Sequence, residues 1–497
     1  MKWETRQFRI WAIAALMAGL LLRIWFIRHL ALVAGDSLLY GDIARNLIQH
    51  GVYGLTSGST PPDAFGISPT LIRLPGYPLF LAVCFSIFGA GQYNAVMYIQ
   101  AIADLVTCCL ASALAGRLFG SRPALVVLWL AVLCPFTARY VAVPLTETLV
   151  LTFTSLAFYG FSRWQEEGRG YNRWLWIVSV AVASSVQLRP EQILFAVAIL
   201  STMLWAPLSH PHFSSRRLHF VLPVFAASLC VVLSLVPWTI RNARTFHVFQ
   251  PLAPRYANDP GELAPLGFSR WYRTWAIDFA STENVYWNYS GDPIQLTDLP
   301  TRAFEVGSSS ATADLRSRTE SLFADYNATT DLTNEVPSAM DARFAKLAAE
   351  RIRVHPILCY IGLPVARVLN MTLRPRTEMM NIPLEWWKWK QHRMQTAFAT
   401  AYATLNFAYL ALGMAGFFAW KRRKWISAPA PNTSQFAFRE LAIAMAASIL
   451  LRATLLLTLD NSEPRYTLEF FPVLLVLAGA LFAEPLHLES ARERGGR

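Results

Sequence analysis

Residues 10–47 read IWAIAALMAGLLLRIWFIRHLALVAGDSLLYGDIARNL. The first part, to about Leu30, is one apolar run of the length that crosses a bilayer as a helix, on the order of 20 residues. Lys2, Arg6 and Arg9 precede it, as in a signal peptide. The run is too long for a signal peptide, and it contains no small-residue cleavage site. It reads as a first membrane helix with its N-terminus cytoplasmic. The pattern then changes. Tyr40, Ile43, Ala44, Leu47 and Ile48 recur at helical spacing, with Asp42, Arg45, Asn46 and Gln49 on the opposite face. This spacing predicts an amphipathic helix lying along the membrane just outside the first span. Asp36 stands where the span ends, and its position alone leaves helix capping and catalysis equally open.

The rest of the chain continues the apolar theme. Of its 497 residues, 54% are hydrophobic and only 15% are charged, against roughly 25% charged in a soluble domain. A soluble enzyme, a disordered chain and a disulfide scaffold are excluded. Further apolar blocks fall at about 93–116, 123–142, 146–162, 174–189, 191–208, 218–240, 396–420, 438–459 and 467–485. Two short blocks, 75–90 and 356–373, are broken by Pro or Gly. Charge decides how to place them. If neither crosses, Arg117, Arg122, Arg163, Arg169, Arg173, Arg216, Arg217, the run Lys421 to Lys424, Arg492, Arg494 and Arg497 all share the N-terminal, cytoplasmic side. The sequence therefore predicts an all-α polytopic membrane protein of about 10–12 spans, nearer ten, with both short segments at the outer interface. The net charge of +12 then marks topology and gives no nucleic-acid partner. The six cysteines lie almost entirely in apolar segments without metal-site spacing and read as core packing.

Three regions follow: a transmembrane module at 1–240 with a first exterior loop at 31–92, an exterior region at 241–395, and C-terminal transmembrane helices at 396–497. In the exterior region, Pro337-Ser338 with Asp341 resembles a helix N-terminus. Phe344, Leu347, Ala348 and Ile352 give that helix one apolar stripe, read as lying on the membrane. Glu385-Trp386-Trp387-Lys388-Trp389-Lys390 reads as an interfacial aromatic belt.

On the exterior side, several polar residues sit at the ends of spans. Arg73 precedes Pro75-Gly76-Tyr77-Pro78, and is open to a lipid headgroup role. Glu147 follows Thr146 at a junction of spans; a carboxylate so close to an apolar span has a partner or a job. Arg189-Pro190-Glu191 is either a self-paired corner or a phosphate contact. Arg241 and Arg244, after Pro237-Trp238, run against the cytoplasmic bias and suggest an anionic ligand. Arg465 and Tyr466 suit a phosphate or a sugar hydroxyl, in competition with a Glu463–Arg465 ion pair. Asp104 and Arg452 fall inside spans and read as a structural pair.

These pieces in this order resemble a GT-C fold glycosyltransferase. The likeness is to glycosyltransferase family 39 and its bacterial relatives, the protein O-mannosyltransferases, lipid A aminoarabinose transferases and related lipopolysaccharide sugar transferases. It rests on Asp36 with Tyr40, Ile43, Ala44, Asn46 and Leu47; on Gly51-Val52-Tyr53-Gly54; and on Arg73 with Pro75, Tyr77 and Pro78. Thr146-Glu147, Arg189-Pro190, Pro237-Trp238 with Arg241-Asn242, and Arg465-Tyr466 with Pro472 complete it. The resemblance implies a sugar donor linked to a polyprenyl phosphate, inversion at the anomeric carbon, and a site on the outer face of the cytoplasmic membrane. The acceptor is a glycan, lipid or protein. Asp36 is then the general base, with Glu147 orienting a substrate or holding a divalent cation if one is used. Tyr40, Arg73, Tyr77, Arg189, Arg241, Arg465 and Tyr466 are the substrate-binding candidates. Many relatives carry a second acid directly after the Asp; here it is Ser37, which leaves metal use open. The competing readings are a transporter or flippase, or a polymerase, of lipid-linked saccharides. A topology reporter fused after Lys424 is expected to read cytoplasmic, and an exterior signal would reverse every side assignment.

Overall fold

The computed structural model describes residues 5–57, 61–209, 217–289, 292–305, 309–330, 337–426 and 433–483. Arg216, Arg492, Arg494 and Arg497 lie outside the described residues, as do the side chains of Arg217, Arg423 and Lys424. The first helix, α1 (Thr5–Leu30), is followed by a turn at Gly35, whose φ of 52° only a residue without Cβ adopts freely. That turn starts α2 (Asp36–His50). A two-residue antiparallel ribbon, β1 (Gly54–Leu55) with β2 (Ser68–Pro69), closes the polar loop that follows. Next come α3 (Gly76–Phe88), α4 (Tyr93–Phe119), α5 (Ser121–Val132) and the short α6 (Pro135–Ala138). α5 and the segment Pro135–Ala142 meet at 44°, where Pro135 lacks the N–H that would continue α5. α7 (Glu147–Glu166), α8 (Arg173–Leu188), α9 (Ile193–Ser209) and α10 (Arg217–Phe246) complete the first module.

Beyond them lie α11 (Leu266–Arg273), α12 (Phe279–Ser281), α13 (Ser309–Thr330), α14 (Ser338–Val354) and α15 (Leu363–Leu373). The chain ends on α16 (Arg393–Ile426), α17 (Thr433–Leu457) and α18 (Phe471–Ala478). Among the described residues, six helices are long and apolar enough to cross a membrane alone, or eight if each of two bent pairs is one span. Gly76–Phe88, Arg173–Leu188 and Pro190–Trp205 are apolar but shorter. The protein is a multi-pass membrane bundle. Val127, Phe158, Phe161, Trp164, Val178 and Val224 fill its main core.

The bundle has two electrically distinct ends. α7 shows this directly, since its 20 residues cover about 30 Å. At its C-terminal end, Arg117 pairs with Glu166, Arg163 and Arg173 with Glu167, and Arg169 with Glu440. These arginines are among those grouped on one side by the charge pattern. Glu147 begins α7 at the other end, where the exterior candidates lie.

The region 241–395 has a core of its own. Phe268, Trp271, Tyr272, Trp275, Phe323, Tyr326 and Phe344 are all buried, and the Phe268 ring stacks on Tyr289 at 3.6 Å. α14 occupies the predicted segment, but Asp341 serves α11: its carboxylate accepts from the backbone N–H groups of Gly267 and Phe268 at 2.8 Å each. This satisfies donors that the first turn of a helix leaves orphaned. The stripe of α14 is likewise buried in the aromatic core and not laid on the membrane. The next segment, Leu358–Leu373, follows after a bend of 107°. Around its start Ile357, Tyr360 and Ile361 stay exposed.

The expected Asp104–Arg452 pair does not form. Asp104 accepts from Nε of Arg23 at 2.8 Å, and both residues are buried inside the bundle. The same guanidinium donates to the carbonyls of Gly19 and Val132. Arg23 lies within the first apolar run, where apolar patterning hides it. Removing one partner of a buried ion pair costs about 3–5 kcal/mol. Arg23→Ala is therefore expected to lower the thermal unfolding temperature in detergent, and the double change Arg23→Met with Asp104→Leu to recover most of the loss.

Candidate active site

Asp36 is the first residue of α2, yet its side chain makes no capping bond. One carboxylate oxygen accepts from Nη2 of Arg73 at 2.8 Å, and the other accepts from Nη2 of Arg465 at 3.0 Å. Arg73 comes from the loop before α3, and Arg465 from the turn after α17. Glu147, at the start of α7, accepts from Nη1 of Arg189 at 3.1 Å and lies 3.7 Å from Arg465. Arg189 also donates from Nε to Glu191 at 2.7 Å. Arg452 links Glu191 to Glu469, and Glu463 pairs with Arg465. Among the described residues, these linked pairs form one network of four arginines and five carboxylates.

Backbone packing brings the two halves together. A Cβ on Gly76 would lie 2.5 Å from the carbonyl oxygen of Gln187. The start of α3 can thus press against the end of α8 only as glycine, which sets the Arg73 loop beside Arg189. Tyr53 donates its hydroxyl to the Arg73 carbonyl at 3.0 Å. Arg376 donates to the Pro464 carbonyl at 3.0 Å and also bonds Thr467, fixing the turn that carries Arg465.

Two candidates do not face Asp36. Arg241 donates to the carbonyls of Thr70 and Tyr53 at 2.7 Å each and lies over the rings of Tyr53, Trp238 and Phe246. It clamps the loop that carries Arg73, because five fixed donors suit converging carbonyls as well as phosphate. Arg244, beside it, is exposed. Tyr77 is fully buried, and its hydroxyl donates to Gln100 at 2.6 Å. It supports Tyr40, whose ring meets it edge-on at 5.0 Å and lies 5.9 Å from the Arg73 guanidinium. Tyr466 lies under both Arg189 and Arg465, at 5.5 and 5.7 Å. Asn46, expected on the solvent face of α2, is buried and donates to the Gly54 carbonyl at 3.0 Å.

The electrostatics follow from this packing. Loss of solvent pushes the Asp36 carboxyl up, but the charges of Arg465 and Arg73 outweigh it and hold the group well below the usual carboxylate range. Glu463 goes the other way. Its burial dominates the pull of Arg465, the charge on Asp36 adds to it, and its carboxyl is pushed up to about 7. Sequence reasoning weighed Glu463 only as the partner of Arg465, and did not join Glu191, Arg452 and Glu469 to the site. An acid flanking Pro464-Arg465 was the available signal.

These residues do not fit a divalent cation. The position between Asp36, Glu147 and Glu463 is taken by the Arg465 guanidinium. Among the described residues, no group of three or more His, Cys, Asp or Glu side chains is arranged to hold a metal.

The chain has the GT-C glycosyltransferase fold. Residues 69–238, about a third of the chain, match the family model described as dolichyl-phosphate-mannose-protein mannosyltransferase. Among solved structures, the chain is similar to the Archaeoglobus fulgidus oligosaccharyltransferase tethered to an acceptor peptide, with a TM-score of 0.50 and 13% identity over 96% of this chain and 49% of that one. The chain thus spans about half the length of that enzyme. It is also similar to ArnT from Cupriavidus metallidurans bound to undecaprenyl phosphate, with a TM-score of 0.37 and 15% identity over 94% of this chain and 77% of that one. No curated protein matches in sequence.

The Asp36 geometry has a direct consequence. A carboxyl whose folded pKa is depressed contributes stability above its unfolded value and loses it as pH falls through the folded value. Difference infrared spectra of wild type against Asp36→Asn should show the Asp36 carboxylate band persisting below pH about 3.9, the ordinary Asp value. In Arg73→Gln, protonation should occur at higher pH.

Proposed function

We propose that this chain is an inverting glycosyltransferase that moves a sugar from a polyprenyl-phosphate donor to an acceptor on the outer face of the cytoplasmic membrane. The observation that carries this reading is the Asp36 carboxylate, held between the guanidinium groups of Arg73 and Arg465 at the end of the first apolar helix. A lipid-linked sugar keeps its tail in the bilayer, so its reacting carbon must be met at that depth. The family model matched over 69–238 has a lipid-phosphate sugar donor in its description, which supports the same donor class.

The roles follow from charge. The acceptor O–H or N–H passes its proton to Asp36 as its heteroatom attacks the anomeric carbon from the face opposite the phosphate. The carbon–oxygen bond to phosphate breaks, and its electron pair stays on the phosphate, which becomes a monoester with additional negative charge. Arg73 and Arg465 stabilise those oxygens, as fixed donors do where charge develops. Arg189 and Tyr466 extend the same wall, and Glu147 holds Arg189 and Arg465 in register. One base and no second carboxylate acting as nucleophile gives inversion. The arginines that hold Asp36 in the ligand-free protein also weaken it as a base. A phosphate that draws on the same guanidinium groups returns Asp36 towards ordinary basicity, so donor binding switches the base on. The module 1–240 supplies most of this machinery, 396–497 supplies Arg465 and Tyr466, and 241–395 shapes the acceptor side.

Asp36→Asn is expected to reduce sugar transfer in purified membranes by at least about 100-fold, in line with loss of a general base, in a protein that still folds but unfolds at a lower temperature, because the stability contributed by the paired carboxylate is lost. Full activity in that variant would remove Asp36 from the mechanism. Arg465→Ala should cost about 100- to 1,000-fold in kcat, as loss of an oxyanion donor does. Envelope glycans from a strain lacking the protein, compared by mass spectrometry, would identify the sugar and its acceptor.

A further inference from the structure

Glu463 is 1% exposed and pairs with Arg465 through one oxygen. Its other oxygen is buried without a hydrogen-bond partner. Tyr466 of the same turn favours the ionised form, but burial outweighs it, and a desolvated carboxylate oxygen is costly. The groups around it come from several elements. Asp36 faces it from α2 and Glu147 from α7, while Arg465 and Tyr466 belong to its own turn. Arg73 and Arg189 lie one ion pair further out. Arg376 reaches the neighbouring Pro464 carbonyl, and Tyr140 bonds Glu378 on the same side.

With all five carboxylates of the network ionised against four arginines, the site carries an excess negative charge before any substrate enters. The donor in the proposed function is itself an anion. Anions do not accumulate in a partly desolvated site without compensation. One proton must therefore enter with the donor, and the carboxylate best placed to take it is the one with an unpartnered oxygen beside the arginine that the phosphate needs.

We propose that Glu463 is a positioning residue that takes up a proton when the lipid phosphate binds and so releases Arg465 to the phosphate. This inference rests on the donor reading above. While Glu463 is ionised, it holds Nε of Arg465 in an ion pair. Once neutral, it offers only a weak hydrogen bond, and the guanidinium turns its free donor to a phosphate oxygen. The raised Glu463 carboxyl, near 7, places this change within the physiological range. The sign is fixed: donor affinity is retained below that value and falls as pH rises through it, because above it the proton must be drawn from more dilute solution.

The test uses the full-length protein in detergent micelles with a polyprenyl alkyl phosphodiester, whose single charge is constant across the range probed. Wild type is expected to bind it about tenfold more weakly for each unit of pH above about 7.5, the slope for uptake of one proton. Calorimetry in buffers of different ionisation enthalpy should register close to one proton taken up per site at pH 8. Glu463→Gln, a permanent mimic of the protonated form, should bind with no such slope. A slope in Glu463→Gln equal to wild type, or binding by wild type without proton uptake, would overturn the inference and leave the donor reading standing. Failure of the phosphodiester to bind at any pH would overturn both. Should Glu463→Gln not fold, the proton count on wild type decides the matter alone.

Discussion

The grip of Arg73 and Arg465 on Asp36 is the interaction on which the rest depends. It joins three elements, the start of α2, the loop before α3 and the turn after α17, the last of them 429 residues from Asp36 along the chain. None of the three has a local reason to meet the others. Taking so many charges partly out of water costs several kcal/mol per ion unless each finds a partner, and the network satisfies most of them by alternating sign from Asp36 to Glu469. A site built this way is tightly positioned in the free state and carries its own counter-ions, with the consequence that a substrate anion must compete for guanidinium groups already engaged.

Arginine performs two separate tasks in this fold. In the site, Arg73, Arg189 and Arg465 face carboxylates. Elsewhere, Arg241, Arg351, Arg367 and Arg376 bind backbone carbonyls, often two or more each. A guanidinium suits this second task because its donors are fixed in one plane and its charge is permanent. Where the helix bundle meets the region 241–395, helix ends and loops leave many carbonyls without water, and these arginines take water's place. The clamps then set the site's geometry: Arg241 fixes the loop of Arg73, and Arg376 fixes the turn of Arg465.

Much of this was legible from residue patterns. The switch from an apolar run to a half-polar helical face located α2, and Arg117, Arg163, Arg169 and Arg173, grouped by the charge pattern, form ion pairs at the end of α7 away from Glu147. Asp36, Arg73, Glu147, Arg189 and Arg465 were singled out because charge is rare beside apolar spans, and the structure brings all five together. Arg241 shows where such reasoning stops. It met the same criterion of a cation against the topological bias, but its neighbours in space are carbonyls of Tyr53 and Thr70, which no sequence pattern displays. Asp104 shows the same limit: its need for a partner was legible, whereas the choice of Arg23 over Arg452 depends on which helices pack together.

The sequence by itself determined that this chain is a membrane protein, how its apolar segments alternate with polar ones, and which few polar residues fall at the ends of apolar segments. Those properties follow from transfer free energy, which is local and additive along the chain. Tertiary structure decided the partners: which arginine faces a carboxylate and which a carbonyl, why Asp36 binds two guanidinium groups and no helix cap, and why Glu463 is left with a bare oxygen. Pairing energies depend on distance and on exclusion of water, and both are set only when segments remote in sequence are packed against one another.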